Sequence, residues 1–117
     1  DPLIGPGLVV QRSGATSVWL VDLGLAAKVR PCLVLSVLPK VTDRSIVTLV
    51  PHTTSVRGSR FEVAVPVRFL KLGAFDTQGL ITVPVAWLIR RVGILAAPQI
   101  KLVESAVCDW LGIKSSV

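Results

Sequence analysis

Val29-Arg30-Pro31-Cys32-Leu33-Val34-Leu35-Ser36 is the stretch whose reading decides the fold. Cys32-Leu33-Val34-Leu35 is a short continuous apolar run, bounded by Pro31 and, further on, Pro39. Such a run, with prolines at its flanks, reads as a buried strand. The residue before a proline is pushed to an extended backbone, so Arg30 is held at the entrance of that strand. One guanidinium then stands at the rim of an apolar platform, where a phosphate could meet it. Many ordinary surface arginines sit the same way, so the stretch takes its meaning from its neighbours.

Working outward, residues 18–23 read as the preceding strand, with Trp19 and Val21 on one face and Leu20 and Asp22 on the other. Residues 24–28 form a short connection of small residues, a candidate mobile loop. The strand entered at Arg30 is expected to run to Leu38, and residues 39–44 to turn the chain. Residues 45–51, rich in β-branched side chains, read as a third strand. The polar stretch 52–60 reads as a loop with a tight turn at Gly58. A fourth strand is expected over 61–65, a loop over 68–79, a fifth strand over 80–85 and a short sixth over 91–95. Pro84 marks an edge or a strand end. Residues 99–111 read as the one long helix, with Ile100, Val103, Val107, Trp110 and Leu111 at helical spacing. Pro98 suits the first turn and Gly112 the C-terminal cap, while the N-cap would fall on Ala97, a poor capping residue. The resulting fold class is mainly β: a barrel of five to seven short strands with a C-terminal helix packed on it.

The chain has 117 residues, enough for one domain with a real core. We divide it into an N-terminal segment, 1–17, and a folded domain, 18–117. The Pro/Gly-rich start lacks the features of a signal peptide, reads as a processed or cloning-derived end, and is expected to be poorly ordered. Hydrophobic residues make up 51% and charged residues 17%, yet no run approaches the roughly 18 apolar residues of a spanning helix. We therefore expect a soluble, cytoplasmic oligomer with an apolar interface and no membrane association. The net charge of +6 favours an acidic partner such as nucleic acid, although a basic surface that merely aids solubility gives the same figure. Cys32 and Cys108 form no Cys-x-x-Cys motif and read as small core residues of a reducing compartment; sequence leaves a disulfide between them open.

Metal and cofactor chemistry finds little footing. A single His and scattered carboxylates give no tetrahedral ligand set, no paired-carboxylate hydrolase and no Gly-rich phosphate loop, and we expect no cofactor and no metal. What remains is a basic, hydroxyl-rich constellation. Lys28 and Arg30 open one strand; Thr53, Thr54, Ser55 and Arg57 follow the next. If those strands are neighbours, their ends meet. Guanidinium forks and hydroxyls suit a phosphodiester. In RNA cleavage the 2′-OH is itself the nucleophile, so the protein need only orient the strand, stabilise charge and move protons. A solvated Ser/Thr-rich turn has the same residues. His52 has the pKa range of a general base, but in an extended chain it points away from Thr53, and both cannot line one site without a bend. We rank His52 below Thr53. Trp19, Trp87 and Trp110 could stack on bases, with core or interface packing the commoner role.

Residues 18–24 (VWLVDLG), 28–36 (KVRPCLVLS), 50–58 (VPHTTSVRG) and 61–63 (FEV), in that order and spacing, resemble the MazF/PemK/Kid family, and the likeness continues through Phe75-Asp76-Thr77-Gln78 to the terminal helix. The resemblance implies a small SH3-like barrel, a homodimer, and the toxin of a bacterial type II toxin–antitoxin pair with a cognate antitoxin. It implies metal-independent, sequence-specific endoribonuclease cleavage of single-stranded RNA, mainly mRNA, to a 2′,3′-cyclic phosphate and a 5′-hydroxyl. The family's catalytic Arg and Thr land on Arg30 and Thr53. Arg30 would stabilise the pentacovalent phosphate and donate a proton to the leaving oxygen; Thr53 would hold the scissile group in line. Lys28, Thr54, Ser55 and Arg57 would bind the strand, and Gln78 would contact base or backbone. The chain departs from the family pattern at Gly14-Ala15-Thr16-Ser17, which replaces the usual Arg-Gly-acid lead, and at Asp76-Thr77-Gln78-Gly79-Leu80, which lacks an expected arginine. Two other readings compete: a gyrase-inhibiting, non-enzymatic toxin of the same fold, against which Arg30 and Thr53 argue, and a catalytically inactive RNA-binding module.

Overall fold

The computed structural model describes residues 16–24 and 28–114. The expected disorder of the N-terminal segment, the mobility of the 24–28 loop and the tail beyond Lys114 concern residues that lie mostly outside this description.

Among the described residues, seven strands build one curled sheet: β1 (Ser17–Asp22), β2 (Val29–Val34), β3 (Ile46–Thr53), β4 (Glu62–Val63), β5 (Ala74–Asp76), β6 (Ile81–Pro84) and β7 (Leu88–Ile94). Their order is β4-β5-β3-β2-β1-β7, and β6 also pairs with β3. All pairings are antiparallel. The sheet is barrel-like without closing, with β4 and β7 at its ends.

β3 is the hub. Leu49 bonds across to Val34 of β2 and Ile81 of β6, while His52 and Thr53 pair with Phe75 and Ala74 of β5. Alternation along a strand sends successive side chains to opposite faces. Val50 joins one core with Val18, Leu33 and Phe75; Val47 and Leu49 join the other with Val21, Cys32, Val34 and Val83. The central sheet is thus covered on both faces, which is why Cys32-Leu33-Val34 reads as an unbroken apolar run. Trp19 and Val21 share the second core, as their spacing predicts.

The helix α1 (Ala97–Leu111) closes the first core with Ile100, Val103 and Val107. Each such burial contributes about 1.5–3 kcal/mol. Its N-cap is Ala96, one residue before the expected position, and the capping partner is Gln99, whose Oε1 accepts the Ala96 N–H at 2.8 Å. Gly112 ends the helix at φ 70°, with the Ile113 N–H on the Cys108 carbonyl at 2.8 Å. Trp110 and Leu111, which spacing places on the buried stripe, are instead about half exposed, because the last turn overhangs the sheet; Ala106 completes the buried face.

Several boundaries differ from the sequence reading. β2 stops at Val34, because the Ser36 hydroxyl takes the Thr48 N–H at 2.9 Å in place of a backbone carbonyl. β4 is only two residues long: the Phe61 carbonyl turns to accept both the amide and the hydroxyl of buried Thr77. β5 lies inside the expected 68–79 loop, and β7 begins at Leu88, three residues before the expected strand. β6 pairs only with β3 and ends on Pro84, as an edge strand should. Both cysteines are free.

Candidate active site

Cys32, Leu33 and Val34 of β2 face Pro51, Val50 and Leu49 of β3. The β2–β3 pairing ends at Cys32 and Pro51; Arg30 and Thr53 lie two residues beyond it, at the adjacent ends of the two strands, and both border the same two clefts. Arg30, Cys32 and Val34 share a side, as do Thr53, Pro51 and Leu49. Cys32, Val34 and Leu49 are buried, Pro51 is half-buried, and Arg30 and Thr53 emerge where the core ends.

Two clefts meet at this pair. The first, of about 430 Å³, is bordered by Lys28, Arg30, Pro31, His52, Thr53, Thr54, Ser55 and the 69–71 segment with Lys71. It presents three cations and no carboxylate. The second, of about 480 Å³, is bordered by Arg30, Thr53, Ser55, Arg57, Ser59, Glu62, Asp76, Gln78 and Trp110. Arg30, Thr53 and Ser55 belong to both, so they form the saddle between two concavities. Every site residue expected from the sequence borders one cleft or the other. Lys28, Thr54 and the 69–71 segment lie on one side; Arg57 and Gln78 lie on the other.

Local chemistry orients the pair. Thr53 ends β3, and its Oγ1 accepts the Ser55 N–H at 3.0 Å. With a lone pair so engaged, the hydroxyl has its own proton to give. Arg30 is fixed in extended backbone by Pro31, and its carbonyl accepts the Cys32 thiol at 3.6 Å. Burial pushes that thiol up to about 12 despite the nearby guanidinium, so Cys32 is an inert packing group beneath the site. Lys28 sits at φ 58° and closes its loop through the Gly24 carbonyl at 2.7 Å.

The loop after Thr53 is pinned by Glu62. Its carboxylate accepts the Arg57 N–H at 3.0 and 3.1 Å and the Ser59 N–H at 2.8 Å. Those amides, Arg57 first, hold the carboxyl below its ordinary range. Across the second cleft, Asp76 Oδ1 accepts the Gln78 N–H at 3.2 Å and starts a single 3-10 turn over 77–79.

His52 and Thr53 are expected not to line one site without a bend, and the chain does bend beyond them. Both border the first cleft, because β3 ends there and the chain bends at Thr54-Ser55. The imidazole is nonetheless buried, edge-on to Phe75 with centroids 5.1 Å apart, and burial lowers its pKa below 6.5. Sequence reading passed over Glu62 and Lys71 as site residues and ranked packing above base stacking for Trp110, which borders the second cleft. Lys71 lies in a stretch without periodicity, and only the fold brings the helix end to the cleft. Among the described residues, no group of three His, Cys, Asp or Glu is placed to hold a metal ion. No helix among them is long and apolar enough to cross a membrane.

The family model described as PemK-like, MazF-like toxin of type II toxin–antitoxin systems matches residues 15–111. The chain belongs to this family. Among solved structures, Mycobacterium tuberculosis toxin MazF-mt6 is 29% identical, with a TM-score of 0.70 over 84% of this chain and 98% of that one. An endoribonuclease in complex with its cognate antitoxin from a mycobacterial species is 21% identical, with a TM-score of 0.73 over 91% and 98%. A MazE-MazF complex from Deinococcus radiodurans is 20% identical, with a TM-score of 0.70 over 91% and 99%. At the two lower identities the likeness is one of fold. No curated protein sequence matches the chain. The PemK/MazF assignment agrees with the resemblance carried by the Arg-Pro strand and the Pro-x-Thr-Thr loop.

Proposed function

We propose that this PemK/MazF-type toxin cuts single-stranded RNA, using Arg30 and Thr53 on a phosphodiester and needing no metal ion. The observation that supports this best is that both residues border both clefts, at the adjacent ends of β2 and β3. An RNA strand lying across the saddle puts one nucleotide in each cleft and the linking phosphate between them. The 2′-hydroxyl attacks the adjacent phosphorus, the bond to the 5′-oxygen breaks, and the products are a 2′,3′-cyclic phosphate and a 5′-hydroxyl. The 2′-hydroxyl proton passes to solvent water as the new P–O bond forms, and the leaving 5′-oxygen takes up one proton, so no proton is gained or lost overall. Arg30 neutralises charge on the pentacovalent phosphate; a guanidinium holds its proton tightly, so any proton it gives the leaving oxygen is drawn off only as that oxygen becomes strongly basic. Thr53 donates its hydroxyl to a phosphate oxygen and keeps the reacting atoms in line. Lys28 and Lys71 hold the backbone on one side, Arg57 on the other, with Thr54 and Ser55 as hydroxyl donors.

The same basic cleft suits an acidic, extended segment of a cognate antitoxin, which would compete with RNA. Ile89 and Ile94, about half exposed on the end strand β7, favour a homodimer. Cytoplasmic action on mRNA accords with this chemistry.

Purified protein is incubated with a long single-stranded RNA in excess EDTA, and the product ends are mapped. Discrete cuts bearing cyclic-phosphate ends are expected. Salt-sensitive retention of RNA without cutting would replace this reading with a binding module, and inhibition of gyrase without either would replace it with a non-enzymatic poison.

A further inference from the structure

One wall of the first cleft is hung between two glycines. Residues 69–71 border that cleft, and the chain from 64 to 73 is neither helix nor strand. Contacts at its two ends place it. At one end Phe69 packs against the first core with its ring on Gly93 of β7: a Cβ on residue 93 would stand 2.5–2.6 Å from Cδ1, Cε1 and Cζ of that ring. The ring thus fills the space that any other residue would give to a methyl group. β7 is shaped for this contact. Gly93 pairs with Val18, but Trp19, the next residue of β1, faces Arg91, so β7 bulges at Val92 beside the glycine. At the other end Gly73 abuts the Thr53 carbonyl. Between these anchors Lys71 and Leu72 stand exposed, Leu72 by 85%. Exposed side chains are placed by the backbone that carries them, so the seat of Phe69 decides where Lys71 stands.

Resting on the ribonuclease reading above, we propose that Phe69, seated on Gly93, is a positioning residue for RNA: it sets the 69–71 wall and so holds Lys71 where a backbone phosphate crosses the first cleft. A single strand releases about 0.7 counterion for each phosphate that a cation neutralises, which is read as the slope of log affinity on log salt. A lysine moved off its phosphate takes that share of the slope with it.

Binding of a short 2′-O-methyl RNA of mixed sequence, which lacks the attacking hydroxyl and stays whole, is measured with the full chain over a range of salt. Lys71→Gln should flatten the slope by about 0.7 and weaken binding about 5-fold near 0.1 M salt. Gly93→Ala, whose new methyl turns the Phe69 ring away, should do the same. The two together should do little more than either alone, whereas Arg57→Gln, in the second cleft, should add in full to Gly93→Ala. On RNA that can be cut, Gly93→Ala should raise KM more than it lowers kcat. Circular dichroism checks each fold; if Gly93→Ala unfolds, Phe69→Leu, which leaves β7 intact and shortens the seated side chain, decides in the same way. A parent-like slope in folded Gly93→Ala, or a Lys71→Gln effect that adds to it in full, overturns the role of Phe69 and leaves the ribonuclease reading standing. A parent chain that binds the analogue but cuts no RNA overturns the ribonuclease reading alone; one that does neither overturns both.

Discussion

Gly73 packs so closely on β3 that a Cβ at that position would fall inside the van der Waals envelope of the Thr53 carbonyl oxygen. It would also lie 2.9 Å from Cε1 of His52. The backbone of β5 can approach the end of β3 only because residue 73 has no side chain. Gly73→Ala should therefore destabilise the chain by about 1–3 kcal/mol, the usual cost of overpacking, and should move Thr53. Urea unfolding measures the first effect and RNA cutting the second. Parent-like stability with parent-like cutting would show that β5 can back away freely.

Replacing Arg30 and Thr53 separates charge from position. Arg30→Ala and Thr53→Val should each lower the cutting rate at least about 100-fold, as losses of transition-state contacts do. Arg30→Lys should recover little, since a point charge lacks the planar fork; Thr53→Ser should recover most. Single-turnover kinetics on a defined oligonucleotide reads these rates, and full activity in either deletion rejects the site.

Glu62 acts at one remove, through the loop that carries Arg57. Glu62→Gln keeps the shape and loses the charge that draws in the Arg57 and Ser59 amides, so the loop should loosen. Cutting should fall about tenfold or more, because small misplacements of binding groups are costly. The loss should appear in KM more than in kcat, and amide exchange of residues 57–59 should quicken. A change in kcat alone would place Glu62 in the chemistry.

His52 gives a pH signature. Its folded-state pKa is depressed below 6.5 by burial. The unfolded chain therefore takes up the proton first, and the stabilisation is complete above about 6.5 and is lost as pH falls through the folded-state pKa. His52→Phe should flatten that part of the stability–pH curve while cutting persists better than in Arg30→Ala. Identical curves for parent and variant would mean that the imidazole is already solvated in the fold.

How much of this was legible beforehand follows from the physics of each part. β1, β2 and β3 carry their own signal, since strands covered on both faces must be apolar along their length. β5 has three residues and only Phe75 to announce it, and β7 is disguised by Arg90-Arg91 because an end strand has a wet side. Trp110 and Leu111 continue the helical spacing of Ile100 and Val103 without a sheet beneath them, and spacing cannot tell where a neighbour ends. Arg30 and Thr53 could be chosen by residue type and resemblance, but their meeting at adjacent strand ends is a matter of register, which long-range pairing sets. Glu62, Lys71 and Trp110 reach the site from three different segments, and no local pattern links them.

The threefold pairing of β3 bears on how such a toxin could be silenced. A strand tied to β2, β5 and β6 and sandwiched between two cores should release its amides to exchange only when the entire molecule opens. Thr53 rides on that strand. Local melting of β3 is therefore a costly route to control, and, on the function proposed above, an inhibitor would act by covering the saddle from outside and would leave an intact fold ready beneath it.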